Sequence, residues 1–250
     1  MNRYQLMITN LVMLAVTLFF NFLSATGILN GISIAEVSGM YQTKITPAGF
    51  AFSIWGLIYT LLILTLGWLF YKREEVKAAQ VIDAIGYRFI LSSLANIAWV
   101  ILFSYLQIAF STIMIAILLL SLTSILMSFK KADSKLNPLY TITFGLYAGW
   151  VLIATVVNIA AALVQIEWGG FGIDELVWAT IIIVIAVAIV YYVAYRTTNV
   201  MIPLPVAWAY YAIFVGEELT VALLGMVVLV GIAIYQLYRN HYSIQQTKSI

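Results

Sequence analysis

TPAGFAFSIWGLIYTLLILTLGWLFY, residues 46–71, continues for about 24 residues past Pro47 without a single charge. That is enough helix to cross a hydrocarbon core of roughly 30 Å. Pro47 suits a first helical turn, where its missing N–H would have had no partner. The stretch also carries Ser53, Trp55, Gly56 and Tyr59. A span that only had to dissolve in lipid could be Leu and Ile throughout. Trp55 and Tyr59 are four residues apart and therefore share one helix face.

The rest of the chain follows the same pattern. Of 250 residues, 64% are hydrophobic and 9% charged, and mean hydropathy is +1.04. Soluble domains carry about 25% charged residues, so an all-α, polytopic transmembrane helix bundle is expected. Eight spans can be counted: 6–25, 47–71, 87–105, 108–129, 139–163, 176–195, 201–215 and 219–238. The seventh is short and opens on Pro203 and Pro205. The first reads as a retained helix, because its apolar run exceeds the roughly 7–15 residues of a signal-peptide core. A short surface helix is expected between Lys72 and Gly86.

Charge supports this count. With eight spans, eleven of the twelve basic residues fall at the termini or in loops after even-numbered spans, and Lys44 alone falls on the other side. Glu36, Glu167, Asp174, Glu175, Glu217 and Glu218 share the Lys44 side. Basic residues collect on the cytoplasmic face, which predicts a cell-membrane protein with both termini cytoplasmic. The net charge of +2 comes with no basic cluster that would bind nucleic acid.

Catalytic chemistry has little to work with. Cysteine is absent, and the one histidine, His241, lies in the polar tail. Thiol chemistry, disulfides and a histidine-ligated metal or haem within the membrane are excluded by inventory. No acidic or basic residue falls clearly inside a span, so no nucleophile–base pair can be assembled there and no catalytic or metal residues are assigned. Glu217 and Glu218 read as a solvated turn. Asp174 and Glu175 read as the start of a helix, where negative charge complements the N-terminus.

The interior offers amides and aromatics instead. Asn21 lies in the first span, Asn96 and Trp99 in the third, and Trp150, Thr155 and Asn158 in the fifth. A buried amide needs a partner. These groups either bond helix to helix as packing glue or converge on a pocket for a flat, oily ligand. Trp68, Trp168, Trp178 and Trp208 lie near span ends and read as an interfacial belt. Gly145 and Gly149 form a GxxxG pair that could serve internal packing or a homodimer. The loop 26–46 is long enough to be a lid.

Three segments together resemble a known family. TPAGFAFSIWGLIY (46–59), LANIAWVILF (94–103) and GWVLIATVVN (149–158) are similar, in order, to the second, third and fifth helices of the TspO/MBR tryptophan-rich sensory or translocator proteins. Pro47, Phe50, Trp55 and Tyr59 fill the first pattern, Asn96 and Trp99 the second, and Trp150, Ala154, Thr155 and Asn158 the third. The resemblance covers residues 1–163, leaving 164–250 as three further helices and a tail. It implies a five-helix bundle that binds a tetrapyrrole such as protoporphyrin IX as a sensor or carrier, without a covalent cofactor. The binding residues it implies are Trp55, Tyr59, Asn96, Trp99, Trp150 and Asn158. It also implies that the first loop closes over the pocket. Light-dependent porphyrin breakdown in some relatives would make Trp55 and Trp150 electron-donating neighbours. The chain departs from the pattern at Thr46, Val100 and Ile101, where prolines are frequent. It also lacks a basic residue between Asn158 and Arg196, so the sterol-recognition pattern is missing. The alternatives are a secondary transporter with broken helices at Pro203 and Pro205, or a membrane scaffold.

Overall fold

The computed structural model describes residues 2–131 and 137–248, and 241–248 by backbone only. The described residues form helices and turns. Lys135, one of the basic residues counted above, lies outside them, and nothing is described of the His241 side chain.

The first span is α1 (Arg3–Ala25), opened by a capping box between Asn2 and Gln5. A second capping box, Ser33 with Glu36, starts the short α2 (Ile34–Met40) inside the first loop. The organising stretch is not α-helical from Pro47. A 3₁₀ turn at Gly49–Ser53 precedes α3 (Ile54–Tyr71). The surface helix expected after Lys72 is present but runs on into the third span as α4 (Val76–Ser104), with a break at Gly86 (φ 45°, ψ −140°). Only glycine visits that region without strain. Then come α5 (Ile108–Lys131), α6 (Pro138–Gln165) and α7 (Glu175–Thr197). The chain ends with α8 (Pro203–Glu217) and α9 (Thr220–Lys248).

Among the described residues, seven helices are long and apolar enough to cross a membrane. The seventh expected span, α8, is the exception at 15 residues, or about 22 Å of helix. It nevertheless reaches from one end of the bundle to the other. At its start, Asn199 Nδ2 donates to Thr141 O at the foot of α6 (2.8 Å). At its finish, Glu217 meets Lys44 of the first loop (3.2 Å). Eight of its residues are buried, so protein rather than lipid surrounds much of it and bilayer thickness does not set its length. Pro203 and Pro205 sit in its first turn, so they start the helix and do not interrupt it.

α4 packs between α1 and α5, α5 on α6, α6 on α3 and α8, and α9 on α7 and α8. Two hydroxyl pairs bond across buried seams, Ser24–Ser104 (2.8 Å) and Thr65–Thr143 (2.7 Å). The GxxxG pair is used internally. A Cβ on Gly145 would strike the Asn199 amide, and one on Gly149 the Ile202 carbonyl. The two glycines thus let α6 approach the turn that opens α8.

The charge asymmetry is also physical. Arg3 pairs with Asp83 (2.7 Å), Arg88 donates to Ser124 (2.9 Å), Lys130 donates to Arg196 O (2.8 Å), and Asn240 donates to Thr198 O (3.0 Å). These bonds gather both described chain ends and most of the basic residues at one end of the bundle. Lys44 and the first loop lie at the other.

Candidate functional site

The three segments singled out in the sequence meet below the first loop, and Trp55 is their hub. Its ring stacks on Tyr59 from the next turn of α3 (5.1 Å between centroids, 15° between planes). It lies 5.9 Å from Trp99 of α4 and meets Tyr147 and Trp150 of α6 edge-on at 6.0 and 6.1 Å. Phe52, from the 3₁₀ turn, meets Trp150 edge-on at 6.2 Å. Such contacts are worth about 0.5–1.5 kcal/mol each beyond the area they bury.

The amides behave differently from one another and from the indoles. Asn158 is saturated: its Oδ1 accepts from Trp99 Nε1 (2.9 Å), and its Nδ2 donates to Thr112 Oγ1 (2.7 Å) and Ser111 Oγ (3.0 Å). Asn96 sits in a chain, accepting from Asn21 Nδ2 (2.6 Å) and donating to Tyr147 Oη (3.1 Å). Both act as interhelical bonds here. The indole N–H groups of Trp55 and Trp150 are buried and have no acceptor. Tyr59 Oη is also without a well-formed bond, close to the Asn96–Tyr147 pair. Leaving a buried donor unpaired costs about 1–3 kcal/mol, and three lie within one cluster.

Trp55, Trp99, Trp150 and Asn158 line a cavity of about 40 Å³. That admits two or three waters, whereas sites for drug-sized ligands span roughly 300–1,000 Å³. The expected convergence of side chains is therefore present, but the expected space for a planar ligand is not. The side chains close on one another. Asn96 and Tyr59 stand behind the wall and not on it. Tyr147 was missed in the sequence, although it shares with Trp150, Ala154 and Asn158 the spacing of one helix face.

The first loop covers this cavity. Ile34 and Ser38 of α2 and Pro47 form part of its wall. Hydrogen bonds from Ser33 hold the Glu36 carboxylate below its ordinary range and keep α2 capped. Three sets of contacts fasten the loop. Gln165 Nε2 donates to Tyr41 Oη (3.2 Å). Ala48 N donates to Ala212 O of α8 (3.2 Å). Glu217 accepts from Gln42 Nε2 (2.6 Å) and Lys44 Nζ (3.2 Å). Glu217 is thus not in a solvated turn: its side chain is 9% exposed. Nor is Trp208 a belt residue. It donates to Ala51 O (3.1 Å) and packs edge-on against Phe50 (5.4 Å). Through these contacts α8 braces the entrance to the site.

Among the described residues no three His, Cys, Asp or Glu side chains cluster as a metal site would require. The family described as TSPO-like protein matches residues 7–238. The match runs past the five helices of the sequence resemblance and takes in α7, α8 and most of α9. No curated protein and no solved structure matches the chain.

Proposed function

This chain belongs to the TSPO-like family and is an integral membrane protein; from that premise we propose that it binds a flat, hydrophobic ligand of the tetrapyrrole class among α3, α4 and α6, as a sensor or carrier. The observation that carries this reading is the pair of buried indole donors, Trp55 and Trp150, with no acceptor on a cavity wall. A ligand with ring nitrogens, carbonyls or carboxylates would satisfy them, and the ring faces would cover its apolar surface. The space is too small for such a ligand as it stands, so binding requires the loop over it to lift. Moving Ile34, Ser38 and Pro47 away would open the same wall that carries the indoles. The basic end of the bundle faces the cytoplasm by the positive-inside rule, which puts both termini there and the loop on the opposite side.

Titrating the purified protein with protoporphyrin IX while following tryptophan emission tests this. Saturable quenching is expected, and it should weaken at least tenfold in Trp150→Phe, which keeps a ring but loses the donor. Trp68→Phe, at the far end of α3, should leave it unchanged. Quenching that never saturates, or that ignores Trp150→Phe, would overturn the reading.

A further inference from the structure

We infer that the cleft between α6 and α7 at the loop end of the bundle is a second binding site, for a single-tailed amphiphile with an ammonium head. The cleft holds about 730 Å³, the size of a pocket for a drug-sized molecule and too small for a two-tailed lipid. Its depth is apolar, walled by Ala160 and Leu163 of α6 and by Ala179 and Ile182 of α7. Its mouth is aromatic and acidic. Trp168 and Trp178 pack against each other, 5.2 Å between centroids and 58° between planes, and together form one angled wall of an open cage. Asp174 and Glu175 border the same mouth.

The cage is built rather than incidental. Trp178 Nε1 donates to Gly170 O (2.8 Å), which fixes the ring. The turn that supplies this carbonyl holds Phe171 at φ 54° with its side chain 83% exposed, edge-on to Trp168 at 5.3 Å. A bulky residue in the left-handed region is strained, and such strain collects at functional sites. An interfacial belt would need neither the fixed indole nor the strained turn.

Charge selects the head. Among the described residues, Lys44 is the one cation lining the cleft, and it is engaged by Glu217. Asp174 is used as a cap, accepting from Leu176 N (2.8 Å). Glu175 forms no ion pair among the described residues. A carboxylate beside two indole faces suits a cation, and quaternary ammonium groups bind to such faces within about 6 Å. The tail would then lie between α6 and α7, reaching the cleft from the bilayer.

The test uses the full chain labelled with 5-fluorotryptophan in phosphatidylcholine nanodiscs, titrated with octyltrimethylammonium. Fluorine resonances of Trp168 and Trp178, assigned by single Phe replacements, should shift saturably. Octyl sulfate and octyl glucoside should not move them. Glu175→Gln, on an exposed side chain, should weaken binding at least fivefold while leaving every tryptophan in place. The Trp55 and Trp150 resonances should stay still, which separates this site from the first. Equal shifts with all three probes would overturn the proposal. So would an unchanged affinity in Glu175→Gln, or resonances already displaced in phosphatidylcholine relative to phosphatidylglycerol nanodiscs and unmoved by the probe.

Discussion

Replacing Glu217 with alanine should loosen the loop over the aromatic cavity without unfolding the bundle. Glu217 is the shared acceptor for Gln42 (2.6 Å) and Lys44 (3.2 Å), and it joins the end of α8 to a loop more than 170 residues away in sequence. An exposed ion pair is worth about 0–1 kcal/mol, and a hydrogen bond to a charged group about 1.5–3 kcal/mol. The carboxylate is nearly buried, but the Lys44 side chain is 46% exposed and rehydrates when released. No isolated charge is therefore left in the interior, and a net loss of about 1–2 kcal/mol is expected. A change of that size alters an equilibrium by about 5–30-fold. Hydrogen exchange reads it directly at the amides of Thr46 and Ala48, which donate to Thr43 O and Ala212 O. Their protection should fall by that factor, and ligand association should speed up to match. Glu217→Gln, which keeps an acceptor for Gln42, should lie between. Unchanged protection at these amides would refute the reasoning. So would an equal loss in the middle of α5, far from the loop, because that would mean general loosening.

Three further outcomes follow from the geometry. Gly149→Ala would put a Cβ into the Ile202 carbonyl, whereas Gly67→Ala meets nothing within 4 Å; the first should cost about 1–3 kcal/mol as overpacking and the second almost nothing, measured by unfolding in detergent micelles. Asn158→Leu removes the acceptor of Trp99 and the donor to Ser111 and Thr112, yet bonds between membrane helices average about 0.6 kcal/mol and reach about 1.7; the loss in the same assay should stay below about 2 kcal/mol. Glu36 is depressed by its bonds to Ser33, so the cap it forms is at full strength above the ordinary glutamate value of 4.5 and is lost as pH falls through the depressed one. Exchange protection of α2 should hold from neutral pH to about 4.5 and then drop, and Glu36→Gln should remove that dependence.

The spans and the meeting of Trp55, Trp99 and Trp150 were legible because both depend on periodicity. Long apolar runs mark helices, and residues spaced by one turn share a face. Which donors find acceptors is not periodic. Asn158 is satisfied by Ser111 and Thr112, contributed by a different helix, and Trp150 by nothing. That difference arises from how α5 and α6 are set against each other, and neither helix carries it alone. Cavity volume is hidden for the same reason. Four bulky rings can surround a gap or fill it, and small offsets in helix position decide between the two.

The C-terminal helices show most clearly what spacing cannot reveal. Read alone, α8 is a short apolar segment with two prolines, and its glutamates suggest a wet turn. In the fold those features work together. The prolines start the helix where Gly145 and Gly149 make room for it. Trp208 holds the 3₁₀ turn that feeds α3. Glu217, at the other end, holds the loop. A helix made long enough to match the bilayer would carry its last residue past Lys44. The 15-residue length is therefore set by the distance between the turn it starts from and the loop it fastens, and α8 acts as a strut between them. It follows that α8 braces the loop beside the aromatic cavity, although of its described residues only Ala209 lines the wall.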